Sequence, residues 1–222
     1  MKKVYLSIAI FAMSANLAFG QFTKETNILE VSKAPSPEFK PAESENKALG
    51  ITVYTDDFSN TSLWTIDNDG QTGADFGWSI DATSDGWWSG NGISSTSGGN
   101  FAELSNGDAG GGTQALDVTY TMTSANPIDI QTLAGTDQVN IQFEQFGATF
   151  YDLQEVQVST DGVNFTSVSD NSGRDLLSQS SPGNAYDNPE LISVNISSYI
   201  LGNASAVWIR FSWTTAYPSQ AT

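Results

Sequence analysis

The sequence predicts an all-β fold, an antiparallel β-sandwich of the jelly-roll type, and three observations support this class. Apolar and polar residues alternate in many short segments, which is the pattern of strands with one buried face. Clusters of Gly, Ser, Asn and Asp, residues favoured in turns and loops, separate these segments. No long window shows the 3.6-residue apolar period of an amphipathic helix. Roughly ten short strands joined by long loops therefore favour a sandwich.

Three segments show the alternation most clearly, at residues 115–123, 138–146 and 206–214. Successive side chains of a strand point to opposite faces, so the apolar set of each segment is predicted to face the core. That set comprises Leu116, Val118, Tyr120, Met122, Val139, Ile141, Phe143, Val207, Ile209, Phe211 and Trp213, with Trp208 and Arg210 outward. Shorter strand candidates lie at residues 51–58, 76–80, 100–105, 153–159, 164–169 and 191–197.

Residues 155–168, EVQVSTDGVNFTSV, predict a β-hairpin. The Asp161-Gly162 pair supplies the positive φ that a tight turn needs. The side chains predicted to pack inward are Val156, Val158, Phe165 and Val168.

The N-terminus is typical of an export signal. Lys2 and Lys3 precede an apolar run, and Ala18-Phe19-Gly20 fits a cleavage site. Residues 1–20 are therefore expected to be a signal peptide outside the fold, with an uncleaved anchor as the alternative. Residues 21–49 are expected to be a flexible linker or pro-segment, and residues 50–222 the sandwich domain. The protein is predicted to be secreted or held on a bacterial cell surface.

The charge and the missing residue types exclude several functions. From residue 51 onward two arginines stand against twenty carboxylates, a balance that repels nucleic acids and anionic membranes. The chain has no Cys and no His, which excludes disulfides, Ser-His-Asp triads and histidine-ligated zinc. Paired carboxylates could still cleave glycosides, but Glu144, Asp152 and Glu155 lack the strand spacing expected of such a pair. The sequence therefore predicts a protein that is not an enzyme.

An Asp-rich stretch, TIDNDGQTGAD at residues 65–75, suggests a calcium site. Oxygen ligands in a flexible loop with glycine suit this hard cation, although the spacing is not that of an EF-hand. The predicted metal ligands are Asp57, Asp67, Asp69 and Asp75, with Asp56 and Asn68 nearby. Equally open is the interpretation that these acids form turns and add solubilising charge.

The pair Trp87-Trp88 lies in a predicted loop, SDGWWSGNG, and is the candidate carbohydrate-binding site. An indole ring can stack on a sugar while nearby Asp and Asn bind its hydroxyls. The alternative is that one or both rings pack against the sandwich. Phe150-Tyr151 is a weaker candidate on the same argument, and Trp64, Trp78 and Trp213 are assigned to the core.

Several motifs occur in a familiar order: DDFSNTSLWTIDNDG, FGWSI, NFAEL, DLQEVQVSTDGVNFTSV, LISVNISSYI and AVWIRFSW. Over about residues 51–213 the chain resembles the MAM-like (concanavalin-type) jelly roll of the cleaved-adhesin type, found in bacterial proteins that use type IX secretion. That family closes its domain with a Gly-Trp-x-Ile-Asp-Asp-Val strand. The resemblance therefore implies that this sequence lacks its last strand and a later sorting domain. It also implies structural calcium, with Asp57 and Glu103 contributing beside the missing Asp pair.

These inferences combine into an expected function. The chain is predicted to be a secreted, non-catalytic adhesin-like module, stabilised by calcium, that binds a glycan or an extracellular protein. Nucleic acids and membrane insertion are not expected, and the export machinery is an implied partner. One alternative is an accessory domain of an exported peptidase or glycosidase, and another is a structural stalk without a ligand.

Overall fold

The computed structural model describes the backbone of residues 4–7 and, with side chains, residues 51–84, 92–107, 114–133, 138–177 and 184–215. Two compact units are distinguished, Met1–Ile10 with Asp56–Thr222, and Phe11–Thr55. Of the second unit only residues 51–55 are described, and they form no strand. In the first unit, the only described helical segments are two three-residue 3₁₀ turns, Thr61–Leu63 and Gln131–Leu133. No helix of the described residues is long and apolar enough to span a membrane.

Ten strands make up the described fold, so the predicted all-β class is confirmed. In chain order they are β1 (Val4–Ser7), β2 (Trp64–Asp67), β3 (Phe76–Asp81), β4 (Phe101–Asn106), β5 (Thr119–Ser124), β6 (Asn140–Phe146), β7 (Asp152–Ser159), β8 (Thr166–Asp170), β9 (Glu190–Asn195) and β10 (Trp208–Thr215). Sheet A has the order β3-β4-β1-β6-β9, and sheet B the order β2-β5-β10-β7-β8. All strand pairs are antiparallel, as predicted for the sandwich.

Aromatic side chains join the two sheets. Phe143 of sheet A meets Phe211 of sheet B edge-on, with ring centroids 5.3 Å apart. The indole N–H of Trp78 in sheet A donates to the Tyr120 carbonyl in sheet B at 3.4 Å. The Tyr120 hydroxyl in turn donates to Asn106 Oδ1 at 2.9 Å. Burial of such large side chains stabilises the fold by about 1.5–3 kcal/mol each.

Most predicted inward positions are buried, but the segment before β5 differs from its prediction. All four predicted core residues of the 206–214 segment are buried, whereas Leu116 is 48% exposed. Asp117 has a φ of +54°, a left-handed conformation that interrupts the extended chain. The strand therefore begins at Thr119 and leaves Leu116 outside it.

The predicted strand at residues 51–58 was wrong. Asp56 Oδ1 accepts a hydrogen bond from the Phe58 amide at 2.8 Å, and Phe58 has a φ of +61°. Asp56 Oδ2 also accepts from Trp64 Nε1 at 2.8 Å. An Asp side chain that bonds the backbone two residues on favours a turn, which explains why this segment does not extend.

The predicted hairpin forms from β7 and β8, with Gly162 at a φ of +73°. Val156 and Val158 are buried, but Phe165 and Val168 are only half-buried. Phe165 precedes β8 and lies under the Arg210 guanidinium, 3.5 Å from the ring centroid. The cation–π contact gives this ring an outer position in place of the predicted inner one.

Strand β1 comes from residues that the sequence predicts to lie outside the fold. Val4–Ser7 pairs with β4 on one side and with β6 on the other. This segment belongs to the apolar run of the N-terminus, and apolar β-branched and aromatic residues suit a strand between two others. Strands β4 and β6 are consequently separated by one strand position in sheet A.

Candidate functional site

The Asp-rich loop between β2 and β3 is shaped by its own side chains. Asp67 Oδ1 accepts from the Asp69 amide at 2.9 Å, and Asp69 has a φ of +50°. Asp69 Oδ2 accepts from the Thr119 amide at 2.9 Å, which ties the loop to the first residue of β5. Both acids are exposed and act as turn formers.

Asn68 holds the same loop against β3. Its Nδ2 donates to the Phe76 carbonyl at 3.2 Å, and its Oδ1 accepts from the Trp78 amide at 3.3 Å. Gly77 lies between these contacts with a φ of +87°, and a Cβ there would stand 1.9 Å from Asn68 Oδ1. Glycine is therefore required for the amide side chain to reach the strand.

The other two predicted calcium ligands, Asp57 and Asp75, form hydrogen bonds with residues outside this turn. Asp57 Oδ1 accepts from the Ser59 amide at 3.0 Å, and this hydrogen bond lowers the pKa of the Asp57 carboxyl. The Asp75 carbonyl accepts from the Gly107 amide at 2.7 Å. Within the part of the chain that the structure describes, no three His, Cys, Asp or Glu side chains are grouped to hold a metal ion. The calcium site stays a prediction.

Trp87 and Trp88 lie outside the described residues, but both ends of their loop are described. Ser84 Oγ accepts from the Ile93 amide at 2.9 Å. Asn188 bridges the far end, because its Nδ2 donates to the Gly92 carbonyl at 3.0 Å and its Oδ1 accepts from the Ser94 amide at 2.6 Å. Three hydrogen bonds thus fix the described residues on the two sides of residues 85–91.

The next segment, residues 92–100, covers the outer face of sheet A. Ile93 packs with Phe146 and Phe101 of that face. Glu144 is 4% exposed and accepts from Ser95 Oγ at 2.6 Å, from the Thr96 amide at 2.8 Å and from Thr96 Oγ1. Burial raises the pKa of Glu144, but these hydrogen bonds outweigh burial and lower it. The acid therefore anchors the segment as a carboxylate.

A cavity of about 70 Å³ lies between the sheets. Its apolar lining includes Trp78, Phe143, Phe211 and Trp213, and Arg174 and Tyr186 contribute polar atoms. Since one water needs at least about 10–15 Å³, the space suits a few waters and is too small for a sugar ring.

A hydrogen-bonded network lies beside this cavity. The Tyr186 hydroxyl shares a 2.7 Å hydrogen bond with Thr149 Oγ1 and donates to Gln154 Oε1 at 3.0 Å. Asn171 Nδ2 donates to the same Thr149 oxygen at 3.0 Å. Burial is the main reason why the pKa of Tyr186 rises to about 12.

The acids weighed for catalysis have structural partners. Asp152 Oδ2 accepts from Trp213 Nε1 at 2.9 Å and from Gln154 Nε2 at 2.6 Å. Glu155 accepts from Gln157 Nε2 at 3.1 Å. The weaker aromatic candidate, Phe150-Tyr151, forms an edge-on pair with centroids 5.3 Å apart, and both rings are half-buried.

Sequence reasoning did not find the anchoring roles of Glu144 and Asn188. The alternation does put Glu144 on the face opposite Phe143, yet only the fold brings residues 95–96 over it. Asn188 and Gly92 are 96 residues apart, so no local pattern links them.

No protein-family model, curated protein or solved structure matches this chain. The MAM-like resemblance therefore stays a prediction from the motifs.

Proposed function

We propose that this chain is a secreted, non-catalytic adhesion module of a bacterial surface or extracellular protein, and that it binds a glycan through the loop carrying Trp87 and Trp88. The jelly-roll topology and export through a cleaved N-terminal signal belong to the same proposal. The ligand contacts are stacking on an indole ring and hydrogen bonds from sugar hydroxyls to loop Asp and Asn side chains.

The observation that carries this proposal is the fixed base of the loop. Ser84 and Asn188 hold Ile93, Gly92 and Ser94 by three hydrogen bonds. Fixed ends reduce the conformational freedom that a binding segment loses, so more of the contact energy appears as affinity.

The segment after the loop adds a second support. Glu144 binds Ser95 and Thr96, and Ile93 packs on the sheet beneath them. The segment that follows the loop is thus held on the sandwich. Glu144 and Asp152 were two of the acids considered for a catalytic pair. Both accept structural hydrogen bonds, which favours the non-catalytic interpretation.

A glycan array probed with residues 21–222 tests the proposal. The double variant Trp87→Ala/Trp88→Ala is expected to lose at least about tenfold in affinity for any glycan that the parent binds, since stacking of aromatic rings stabilises by about 0.5–1.5 kcal/mol per pair beyond the area buried. Tyr199→Ala is the matched control, because Tyr199 is an exposed aromatic residue at a different position, 42% accessible.

Thermal unfolding of the same variants separates binding from packing. The double variant is expected to unfold within a few degrees of the parent. A large loss of stability with unchanged glycan binding would instead assign both indoles to packing, and a parent that binds no glycan would contradict the proposed ligand.

A further inference from the structure

The outer face of sheet B, on the side away from sheet A, carries polar side chains in rows that cross the strands. On β10, Arg210, Ser212 and Thr214 alternate with the core rings of Phe211 and Trp213, so they lie on this outer face. Their partners on β5 are, in the same order, Thr123, Thr121 and Thr119. Three rows of guanidinium and hydroxyl groups therefore cross β5 and β10.

Arg210 is held in place and still has donors to offer. Its Nε donates to Thr123 Oγ1 at 2.9 Å, and its guanidinium carbon lies 3.5 Å from the centroid of the Phe165 ring. The two terminal nitrogens carry four of the five N–H donors of an arginine. They have no hydrogen-bond or ion-pair partner among the described residues, whereas the other arginine, Arg174, is paired with Glu190. A fixed planar fork of this kind suits a carboxylate.

The electrostatics of Arg210 favour a small anion over a large one. Burial lowers the pKa of Arg210 and the charge of Asp67 raises it, yet among the described residues the two form no ion pair. A partly buried charge without a contacting counterion is unfavourable, and a bound carboxylate would supply that counterion. The twenty carboxylates from residue 51 onward repel a long polyanion. The ligand is therefore expected to bring a single carboxylate.

Trp208 offers a second donor on the same face. It precedes Arg210 by two residues and is half-buried, and its indole N–H has no partner in the part of the chain that the structure describes. A Cβ at Gly162 would stand 3.1 Å from Trp208 Cε2, so the turn before β8 holds the ring in place. The indoles that do donate are those of Trp64, Trp78 and Trp213. The N–H of Trp208 is thus left for a ligand oxygen.

The row beside Arg210 offers hydroxyl groups. Thr121 and Ser212 face each other there, and neither hydroxyl has a hydrogen-bond partner among the described residues, although Ser212 is only 4% exposed. In the following row, Thr119 and Thr214 share a hydrogen bond of 2.9 Å. Side chains on one face of a strand repeat at about 6.8 Å, a distance comparable to the width of a sugar ring. A ligand with its carboxylate at Arg210 therefore places its own hydroxyls over the next row.

We propose that the outer face of sheet B is a second saccharide site, which takes a sugar bearing one carboxylate, a uronic acid. The carboxylate accepts hydrogen bonds from Arg210 and Trp208, and the ring hydroxyls bond to Thr121 in the next row. This site goes beyond the proposed function, because none of its residues belongs to the Trp87-Trp88 loop. It shares with that function only the class of ligand.

A nuclear magnetic resonance titration of the isotope-labelled full chain tests the proposal. The probe is methyl glucuronide. Methyl glucoside is the matched control, since it carries a hydroxymethyl group in place of the carboxylate. The signals of the Trp208 indole N–H and the Arg210 Nε–H are expected to shift with the glucuronide, and the glucoside is expected to bind at least about tenfold more weakly. Acetate, a carboxylate without hydroxyls, is expected to bind more weakly than the glucuronide.

Single substitutions assign the contacts. Arg210→Gln is expected to lose at least about tenfold in affinity for the glucuronide, and Arg210→Lys is expected to lose affinity as well, because an ammonium group keeps the charge but not the fork. Arg174→Gln is the control and should leave the affinity unchanged. Thr121→Val should weaken glucuronide binding and leave acetate binding unchanged. Urea unfolding checks that each variant is folded, and the comparison of the two glycosides on the parent requires no variant.

Three results would overturn the proposal. Equal affinity for glucuronide and glucoside would show that the carboxylate is not recognised. Absence of shifts at Trp208 and Arg210 with millimolar glucuronide would show that this face binds no such sugar. Equal affinity for acetate and glucuronide, unchanged by Thr121→Val, would leave a site for a bare carboxylate and refute the saccharide.

The variant Trp87→Ala/Trp88→Ala separates this proposal from the proposed function. It is expected to keep the shifts that glucuronide causes at Trp208. A chain that shows these shifts but binds no glycan through the Trp87-Trp88 loop would refute only the proposed function. Glycan binding that depends on the loop, without shifts at Trp208 and Arg210, would refute only the second site.

Discussion

Replacement of Glu144 tests whether one carboxylate holds the 92–100 segment on sheet A. Glu144→Ala removes an acceptor of three hydrogen bonds from Ser95 and Thr96. Hydrogen bonds to a charged group contribute about 1.5–3 kcal/mol each. The cost of burying the carboxylate, several kcal/mol, offsets part of that sum. The expected loss in the free energy of unfolding is therefore about 2–4 kcal/mol.

Glu144→Gln is expected to lose less, about 1–2 kcal/mol, because the amide keeps one acceptor oxygen, although it loses the charge and the second acceptor. Urea unfolding followed by tryptophan fluorescence measures both variants. Gln142→Ala is the matched control, since Gln142 lies two residues earlier on β6 and its side chain makes one long hydrogen bond, 3.4 Å to Ser193 Oγ, among the described residues. If Glu144→Ala and Gln142→Ala lose the same free energy, the anchoring argument is wrong.

The pH dependence of this difference has a defined sign. The folded state lowers the pKa of Glu144, so its contribution is present above the unfolded pKa of about 4.3. The contribution is lost as the pH falls through the folded value, because the protonated acid no longer holds its donors as a charge. The gap in unfolding free energy between the parent and Glu144→Gln is expected to close at low pH.

Three further perturbations have expected outcomes. Gly77→Ala is expected to destabilise by about 2 kcal/mol or more in urea unfolding, because its Cβ would collide with Asn68 at a positive φ. Tyr186→Phe should lower the free energy of unfolding by about 1–3 kcal/mol. In spectrophotometric titration of the parent protein, the Tyr186 hydroxyl should ionise near pH 12. The stability that the raised pKa contributes is present below pH 10 and is lost as the pH rises through 12. Millimolar calcium should raise the unfolding temperature relative to EGTA, and Asp67→Ala or Asp69→Ala should remove that rise.

Each of these has a control within the chain. Gly173→Ala should be near neutral, because a Cβ at that position would meet no atom within 4 Å. Tyr199→Phe should change stability little, since Tyr199 is exposed. Asp187→Ala should preserve any calcium effect, because Asp187 lies outside the predicted loop. Equal effects of test and control in any pair would contradict the corresponding argument, and an unchanged unfolding temperature would return the Asp-rich loop to turn formation alone.

The sequence predicted the structure correctly at places where a pattern of neighbouring residues determines it. Alternation in residues 206–214 predicted the buried face of β10, and Asp161-Gly162 predicted the turn before β8. At Asp161, hydrogen bonds from the Asn164 side chain and from the Asn164 and Val163 amides lower the carboxyl pKa and stabilise that turn.

Prediction failed where side chains compete with the backbone or where distant segments meet. Residues 51–58 alternate like a strand, but the bond from the Phe58 amide to Asp56 bends them. The bridge made by Asn188 joins segments that are far apart in sequence, so it depends on the assembled sheet. The residue types of the sequence predicted the candidate site at Trp87-Trp88. The hydrogen bonds of Ser84, Asn188 and Glu144 that hold the neighbouring residues became visible only in the structure.

The two arginines of the domain both lie against aromatic rings, Arg174 at 4.2 Å from the Tyr186 centroid and Arg210 against Phe165. Only Arg174 has an ion pair with an acid among the described residues, 2.8 Å from Glu190. Twenty carboxylates therefore repel one another with little internal compensation. Dissolved salt supplies that compensation, since at 0.15 M ions screen charges beyond about 8 Å. Repulsion among these carboxylates is therefore expected to destabilise the fold in dilute buffer and to weaken at moderate ionic strength.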